Sequence, residues 1–169
     1  MIQEQKFYIR FAKLTDLGEV VDIYNQAIRA GQRTADTDVF SVEDRLDWFK
    51  AHAPDKHPLL VAIQENKVIG YLTISSYREG RPAFLRTAEV SYYIHFQHHR
   101  QGVASQLMQR VIELCPSLEV KTLIAMLLGS NNGSIRLLKK FGFEEWGKMP
   151  QIAEFNKEKI DHLFYGRHI

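Results

Sequence analysis

The stretch His98-His99-Arg100-Gln101-Gly102-Val103-Ala104-Ser105 separates two hydrophobic rhythms, and the fold turns on how it is read. Upstream, Val90-Ser91-Tyr92-Tyr93-Ile94 is rich in β-branched and aromatic residues, the composition of a strand. Downstream, Val103, Leu107, Val111 and Leu114 recur at helical spacing. The join is a small-residue turn from strand to helix. The first N–H groups of a helix lack intrahelical partners, and with the positive end of the dipole they form a ready anion site. Gly102 would let a bound group approach the backbone, Ala104 keeps the first helical turn small, and Arg100 adds a full positive charge. The plain alternative is a connection with no ligand, since small turns of this kind are common.

Two specialised phosphate loops do not fit. A dinucleotide-binding turn wants a second glycine and an acidic residue near the end of the next strand, and a P-loop wants Gly-Lys-Ser/Thr. Neither pattern is present. The context nevertheless favours a ligand. The turn follows a strand carrying Glu89, and a second small polar loop, Gly129 to Gly133, follows the next strand. In α/β sheets ligands sit outside the carboxyl ends of strands, so both loops can face one cleft.

Working outward, Tyr8-Ile9-Arg10-Phe11 reads as a first strand. Thr15 then caps a helix with apolar Leu17, Val20, Val21, Tyr24 and Ile28, stopped by Gly31. Gln32 to Phe40 is a polar loop. Ser41-Val42-Glu43-Asp44 resembles a capping box and opens a second helix through Leu46, Trp48 and Phe49. Strands Leu59–Ile63 and Val68–Ile74 flank a hairpin turn at Glu65-Asn66-Lys67. A loop at Arg78–Pro82 precedes a long strand from Phe84 to His95. Thr122–Leu127 is nearly uninterrupted apolar sequence, the mark of a strand buried on both faces. Ser134 to Lys140 is helical, Gly142 closes it, and Phe143 to Ile169 forms two strands joined around Asn156-Lys157-Glu158. The order is β-α-α-β-β-β-α-β-α-β-β, one mixed α/β domain spanning residues 1–169.

Composition bounds the function. With 169 residues, 45% hydrophobic and 25% charged, the chain has the profile of a soluble globular domain. Its net charge is +2, without the basic stripe that duplex binding needs, so no nucleic-acid partner is expected. No run is long enough to span a bilayer, and Met1–Lys6 is too polar for a signal peptide. A cytoplasmic protein without a membrane partner is expected. Cys115 is the single cysteine, which rules out an intramolecular disulfide; with no histidine near it in sequence, it reads as structural. The seven histidines show no metal-ligand spacing, so no metal is expected. Tyr92 and Tyr93 point to opposite faces of their strand, placing at least one in the core.

Taken in order, the motifs resemble a known family. They include Ile23-Tyr24-Asn25, Thr34-Ala35-Asp36-Thr37, Glu43-Asp44-Arg45, Arg81-Pro82-Ala83-Phe84, Thr87-Ala88-Glu89-Val90-Ser91, Gly129-x-Asn131 and Lys140-Phe141-Gly142-Phe143. The chain resembles the GNAT superfamily of acyl-CoA-dependent N-acetyltransferases, and within it the phosphinothricin acetyltransferase-like branch. The resemblance covers almost the whole chain. It implies a central mixed, mostly antiparallel sheet with helices on both faces. It implies acetyl-CoA as cosubstrate and a small primary amine, an amino acid or analogue, as acceptor.

The resemblance also implies roles. Arg100, Gln101, Gly102, Val103, Ala104 and Ser105 would hold the pyrophosphate, and Tyr92, Tyr93 and Ile94 would run beside the pantetheine arm. Asn131 would bond the coenzyme, and Glu89 would take a proton from the amine directly or through water. Separately, an acceptor with an acid group needs a paired cation, and Arg81, with Arg78 as the rival anchor and Phe84 beside them, is the candidate to meet the substrate; for the two arginines, a solvated loop charge is the plain alternative. Two positions depart from the family pattern. His99 stands where Arg or Gln is usual. Leu138 stands where a Tyr or His would reprotonate the departing thiolate. The rival functions are acetylation of a protein or peptide amine, and a non-catalytic acyl-CoA sensor. A homodimer is compatible with the sequence.

Overall fold

In the computed structural model, which describes residues 7–169, the element order is the expected one. The strands are β1 (Tyr8–Phe11), β2 (Leu59–Gln64), β3 (Lys67–Ser76), β4 (Thr87–Ile94), β5 (Thr122–Leu128), β6 (Glu144–Phe155) and β7 (Glu158–His168). The α-helices are α1 (Leu17–Ala30), α2 (Leu46–Lys50), α3 (Val103–Leu114) and α4 (Asn132–Lys140). The reading of Met1–Lys6 lies outside the described residues.

One sheet runs in the order β1-β2-β3-β4-β5-β7-β6. Only β4 and β5 are parallel; every other neighbouring pair is antiparallel. The two-residue period of the strands sorts side chains onto two faces. In β2, Leu60 and Ala62 join a core with Val103, Leu107, Met108 and Val111 of α3. Leu59, Val61 and Ile63 join the opposite core, with Val20, Ile23 and Ile28 of α1. Helices therefore cover both faces.

The turns follow from local chemistry. Glu65 and Asn66 have φ of 49° and 62°, and Asn156 and Lys157 have 48° and 73°. Two consecutive left-handed residues give the twist that matches paired strands. Ser41 and Asp44 form the reciprocal cap, with the Ser41 N–H 2.8 Å from Asp44 Oδ2 and the Asp44 N–H 3.2 Å from Ser41 Oγ.

Four expectations are corrected. Thr15 does not cap α1; it sits inside a 3-10 turn, Leu14–Asp16. The carboxylate of Asp16 organises this corner, accepting from Arg10 at 2.7 and 2.9 Å and from the Lys13 N–H at 2.6 Å. Charge-assisted bonds of this kind outcompete a neutral hydroxyl. The long strand starts at Thr87, because Pro82–Phe84 forms a 3-10 turn. Helix α4 starts two residues before Ser134, capped by Asn131. Strand β5 is not buried on both faces: Ile124, Met126 and Leu127 are only half-buried. The reason is its separation from β4, described below.

Asp16 yields a stability prediction. Burial alone would raise its pKa, but the bonds from Arg10 and Lys13 overcome this and hold it below the usual carboxylate range. A depressed carboxyl pKa contributes stability above its unfolded value, and that stability is lost as pH falls through the folded pKa. Asp16→Ala is expected to cost about 1–3 kcal/mol near neutral pH, as for other buried charged hydrogen-bonding groups. Thermal unfolding of parent and variant should converge as the pH is lowered through the acid range.

One glycine sets the approach of α3 to the sheet. A Cβ on Gly70 in β3 would lie 2.7 Å from Ile94 Cδ1 and 3.0 Å from Val103 Cγ1. Its absence lets the start of α3 close onto the end of β4, which fixes the turn between them.

Candidate active site

The two parallel strands stop pairing early. β4 meets β5 only through Thr87–Thr122, Ala88–Leu123 and Glu89–Ile124. Beyond Glu89 they diverge, although β4 stays paired to β3 as far as Ile94. The β5-facing edge of β4 is thus left open from Val90 onward. An extended ligand can pair with such an edge as another strand would. A cavity of about 320 Å³ occupies the gap, walled by Glu89 to Tyr93, Ala125 to Leu128, and Asn131, Ser134 and Leu138.

The opening turn lies at the end of the same strand. Gly102 has φ of +83° and Arg100 has +61°, so the chain reverses through two left-handed residues. No side chain caps α3, and the first backbone bond into the helix runs from the Gln106 N–H to the Gly102 carbonyl at 3.0 Å. The N–H groups of Val103, Ala104 and Ser105 precede that bond. His99 braces the turn, its Nε2–H donating to the Ile94 carbonyl at 3.0 Å. This ties the turn back to β4 without an Arg or Gln at that place. Gln101 donates to the Gln97 carbonyl at 3.0 Å. Lys140, from the last turn of α4, donates to Ser105 Oγ at 3.2 Å and brings a second cation to the helix start.

Glu89 lies on the cavity wall, half-buried, and burial pushes its carboxyl above the ordinary value. Tyr93 packs toward α1, edge-on to Tyr24 with centroids 4.8 Å apart, while Tyr92 packs toward the α3 side. The Tyr24 hydroxyl bonds Thr34 Oγ1 at 2.7 Å and the carboxylate of Asp36, and burial raises its pKa. This network holds the loop after α1 against the cavity. Asn131 uses its Oδ1 to accept from the Ser134 N–H at 3.3 Å, fixing the loop before α4.

Glu89, Tyr92, Tyr93 and Asn131 are thus brought together. Arg78, Arg81 and Phe84 are not on the cavity wall; they are exposed on the loop between β3 and β4, which enters β4 two residues before Glu89. Arg33 and His162, by contrast, do line it. Sequence reasoning missed both, because a polar loop and a strand in the tail gave no sign of converging there. Cys115 is fully buried at the C-terminal end of α3, and burial pushes its thiol up to about 11, so it offers no thiolate near neutral pH. Among the described residues, no cluster of His, Cys, Asp and Glu is placed to hold a metal, and no helix is long and apolar enough to cross a membrane.

Known proteins share this arrangement. The Acetyltransferase (GNAT) family profile matches residues 19–143. YwnH of Bacillus subtilis (strain 168), provisionally named a phosphinothricin acetyltransferase, is 40% identical over 95% of this chain and 98% of its own. The L-methionine sulfoximine/L-methionine sulfone acetyltransferase of Pseudomonas aeruginosa (strain PAO1) is 34% identical over 92% of this chain and 91% of its own. The crystal structure of a GNAT superfamily phosphinothricin acetyltransferase from Sinorhizobium meliloti, in complex with acetyl-CoA, superposes with a TM-score of 0.91. That protein is 26% identical, with 98% of this chain and 89% of its own covered. With its sheet split between β4 and β5 and a bare helix start at the mouth of the split, the chain belongs to the GNAT family of acetyltransferases.

Proposed function

We propose that this acetyl-CoA-dependent N-acetyltransferase transfers an acetyl group to the primary amine of a small amino acid or analogue, of the phosphinothricin or methionine sulfoximine kind. The observation that carries the reading is Glu89, a carboxylate with a burial-raised pKa on the wall of the split between β4 and β5. The coenzyme lies along the open edge of β4 beside Tyr92, Tyr93 and Ile94. Its pyrophosphate takes the N–H groups of Val103, Ala104 and Ser105 with Arg100, Gln101 and Gly102 forming the turn, and Asn131 bonds it from the opposite loop.

The thioester carbonyl is then presented near Glu89. Glu89 removes a proton from the ammonium, directly or through one water, and the neutral amine attacks the carbonyl carbon. Backbone N–H groups stabilise the oxyanion, the C–S bond breaks, and the thiolate leaves. No acyl-enzyme forms, since Cys115 is buried in the core. Initial rates with both substrates varied should therefore give intersecting rather than parallel reciprocal plots.

The acceptor's acid group needs a paired cation, and a guanidinium offers a planar fork that fits carboxylate or phosphinate. Arg33 is the cation on the cavity wall, and Arg81, exposed on the loop that leads to Glu89 together with Arg78 and Phe84, is proposed as the second. Amidating the substrate's acid group should raise KM about tenfold or more in the parent, as expected for loss of a charge-assisted hydrogen bond. The same change should matter little in an Arg33→Ala, Arg81→Ala double variant. An equal penalty in both proteins would remove these arginines from acid recognition.

A further inference from the structure

His162 stands on the cavity wall and has no part in the reaction described above. The strand pattern fixes which way it points. On β4, Ala88 and Val90 enter the core shared with α3, so Glu89 between them projects from the opposite face. Residues opposed in a ladder point the same way, and Glu89 is opposed to Ile124 of β5. Leu123 and Ala125 belong to the α3 core, which leaves Ile124, Met126 and Leu128 on the face of Glu89. Leu128 is opposed to His162 of β7, while Leu163 and Tyr165 of that strand join the α3 core. Glu89 and His162 therefore project from one face, away from the helix whose start receives the coenzyme's pyrophosphate.

Their separation suits a single small molecule. Four residues of β5 divide the two rows, about 13 Å at roughly 3.3 Å each, and two strand spacings add about 10 Å across the sheet. The two Cα atoms then stand about 16 Å apart. An amine and a polar atom five bonds away lie about 6 Å apart when extended, and a hydrogen bond of about 2.9 Å at each end brings the span to about 12 Å. One water at Glu89 lengthens it to about 15 Å. His162 is half-buried and its ring meets Phe164 edge-on, with centroids 5.0 Å apart. Among the described residues its ring nitrogens have no hydrogen-bond or ion-pair partner, and neither is sealed from solvent.

We propose, on the small-acceptor reading above, that His162 is a specificity-determining residue that binds the polar end of the acceptor's side chain while Glu89 manages its amine. The acid group beside the amine falls to the arginines, so acceptors of this kind differ at the remote group. That group is an anionic phosphinate in one and an uncharged sulfone or sulfoximine in another. Imidazole changes charge between pH 5 and 8. The neutral ring donates one N–H to an oxygen of either group. The imidazolium adds a full charge, which favours the phosphinate alone. Preference between two acceptors of similar shape should thus turn with pH.

The other titratable groups facing the cavity are Glu89 and Tyr93 on β4, Tyr24 on α1, and Arg33 and Asp36 in the loop after α1. Burial keeps both phenols neutral, and the guanidinium stays charged. Glu89 acts on the amine, which both acceptors share. On β5 and β6 the ladder partners of His162 are Leu128 and Met149, neither of which titrates, and the adjacent Lys148 is paired with Asp161 at 3.3 Å. α4 and its capping loop bring Asn131, Ser134 and Leu138, which carry no charge.

The test gives the full chain acetyl-CoA with phosphinothricin and methionine sulfone in competition, and reads the ratio of their kcat/KM values from the two product masses. In the parent the ratio should fall about fivefold as pH rises through the imidazole range, the difference between a charged and a neutral hydrogen-bond donor. His162→Gln keeps a donor that cannot titrate, so its ratio should stay level. His162→Ala should raise KM for both acceptors about tenfold, as for a lost hydrogen bond, with little change in KM for acetyl-CoA. The same pH dependence in the parent and in His162→Gln would overturn the proposal. So would a KM increase in His162→Ala confined to acetyl-CoA, which would set the ring against the coenzyme. A parent that acetylates other amines but neither of these two would instead refute the small-acceptor reading, and the proposal with it.

Discussion

Glu89→Gln is expected to lower turnover at neutral pH by about 10²-fold, the lower end of what a positioned general base contributes. Only the neutral amine is nucleophilic, and an ammonium of pKa near 8 or above is mostly protonated at pH 7. Raising the pH supplies neutral amine without a base, so the variant should recover part of its rate under alkaline conditions. The recovery should begin at higher pH for a lysine-like amine, of pKa about 10.4, than for an amine near 8. A parallel loss at every pH, with substrate affinity intact, would make Glu89 a positioning group instead. The same substitution should stabilise the fold. Burial raises the Glu89 carboxyl, so the native state binds its proton more tightly than the unfolded chain does. Stability is then lost as pH rises from the unfolded pKa through the folded one, and the cost is full above that window. Gln carries no such cost, so the variant should melt higher than the parent near neutral pH and close to it in acid.

Gly102→Val should weaken acetyl-CoA binding at least tenfold, equivalent to about 1.4 kcal/mol. Two effects act together. Gly102 sits at φ +83°, where a Cβ costs roughly 1–2 kcal/mol and a branched one more. That strain loosens the turn that aims the N–H groups of α3. The added side chain also points into open space, since a Cβ there meets no protein atom within 4 Å. Any steric penalty therefore falls on what binds at the turn and not on the core. Arg100→Ala should do less, a few-fold at most, because one exposed charge is worth under about 1 kcal/mol. Calorimetry with acetyl-CoA separates the two variants. Unchanged affinity in a folded Gly102→Val protein would sink the assignment of the turn.

Much of this architecture is readable without coordinates, for local reasons. The strand-to-helix turn at Gly102, the hairpins at Glu65-Asn66 and Asn156-Lys157, and the Ser41–Asp44 cap all depend on residues within a few positions of one another. Periodicity alone separates Val90–Ile94 from Val103–Leu114. What escapes is set by pairing across the chain. Thr122–Leu127 has the apolar content of a doubly buried strand, yet its outer half faces a cavity because β4 leaves it after Glu89. No local signal encodes where two parallel strands part. Arg33 and His162 reach the same wall from segments far apart in sequence, and Gly70 matters only because Ile94 and Val103 close over it. Asp16 rather than Thr15 organises the start of α1, since the Arg10 that engages it comes from the preceding strand.

The proposed reaction moves an acetyl group directly from acetyl-CoA to a small amino acid's amine. The most direct measurement incubates the protein with acetyl-CoA and a panel of free amino acids and analogues that includes methionine sulfoximine and phosphinothricin, alongside amine-bearing peptides. Thiol release and product mass are read together. One thiol should be freed for each N-acetylated small acceptor, with those two analogues among the best and the peptides far behind. Acetylation of the peptides alone, or tight acetyl-CoA binding with no thiol released on any amine, would contradict it.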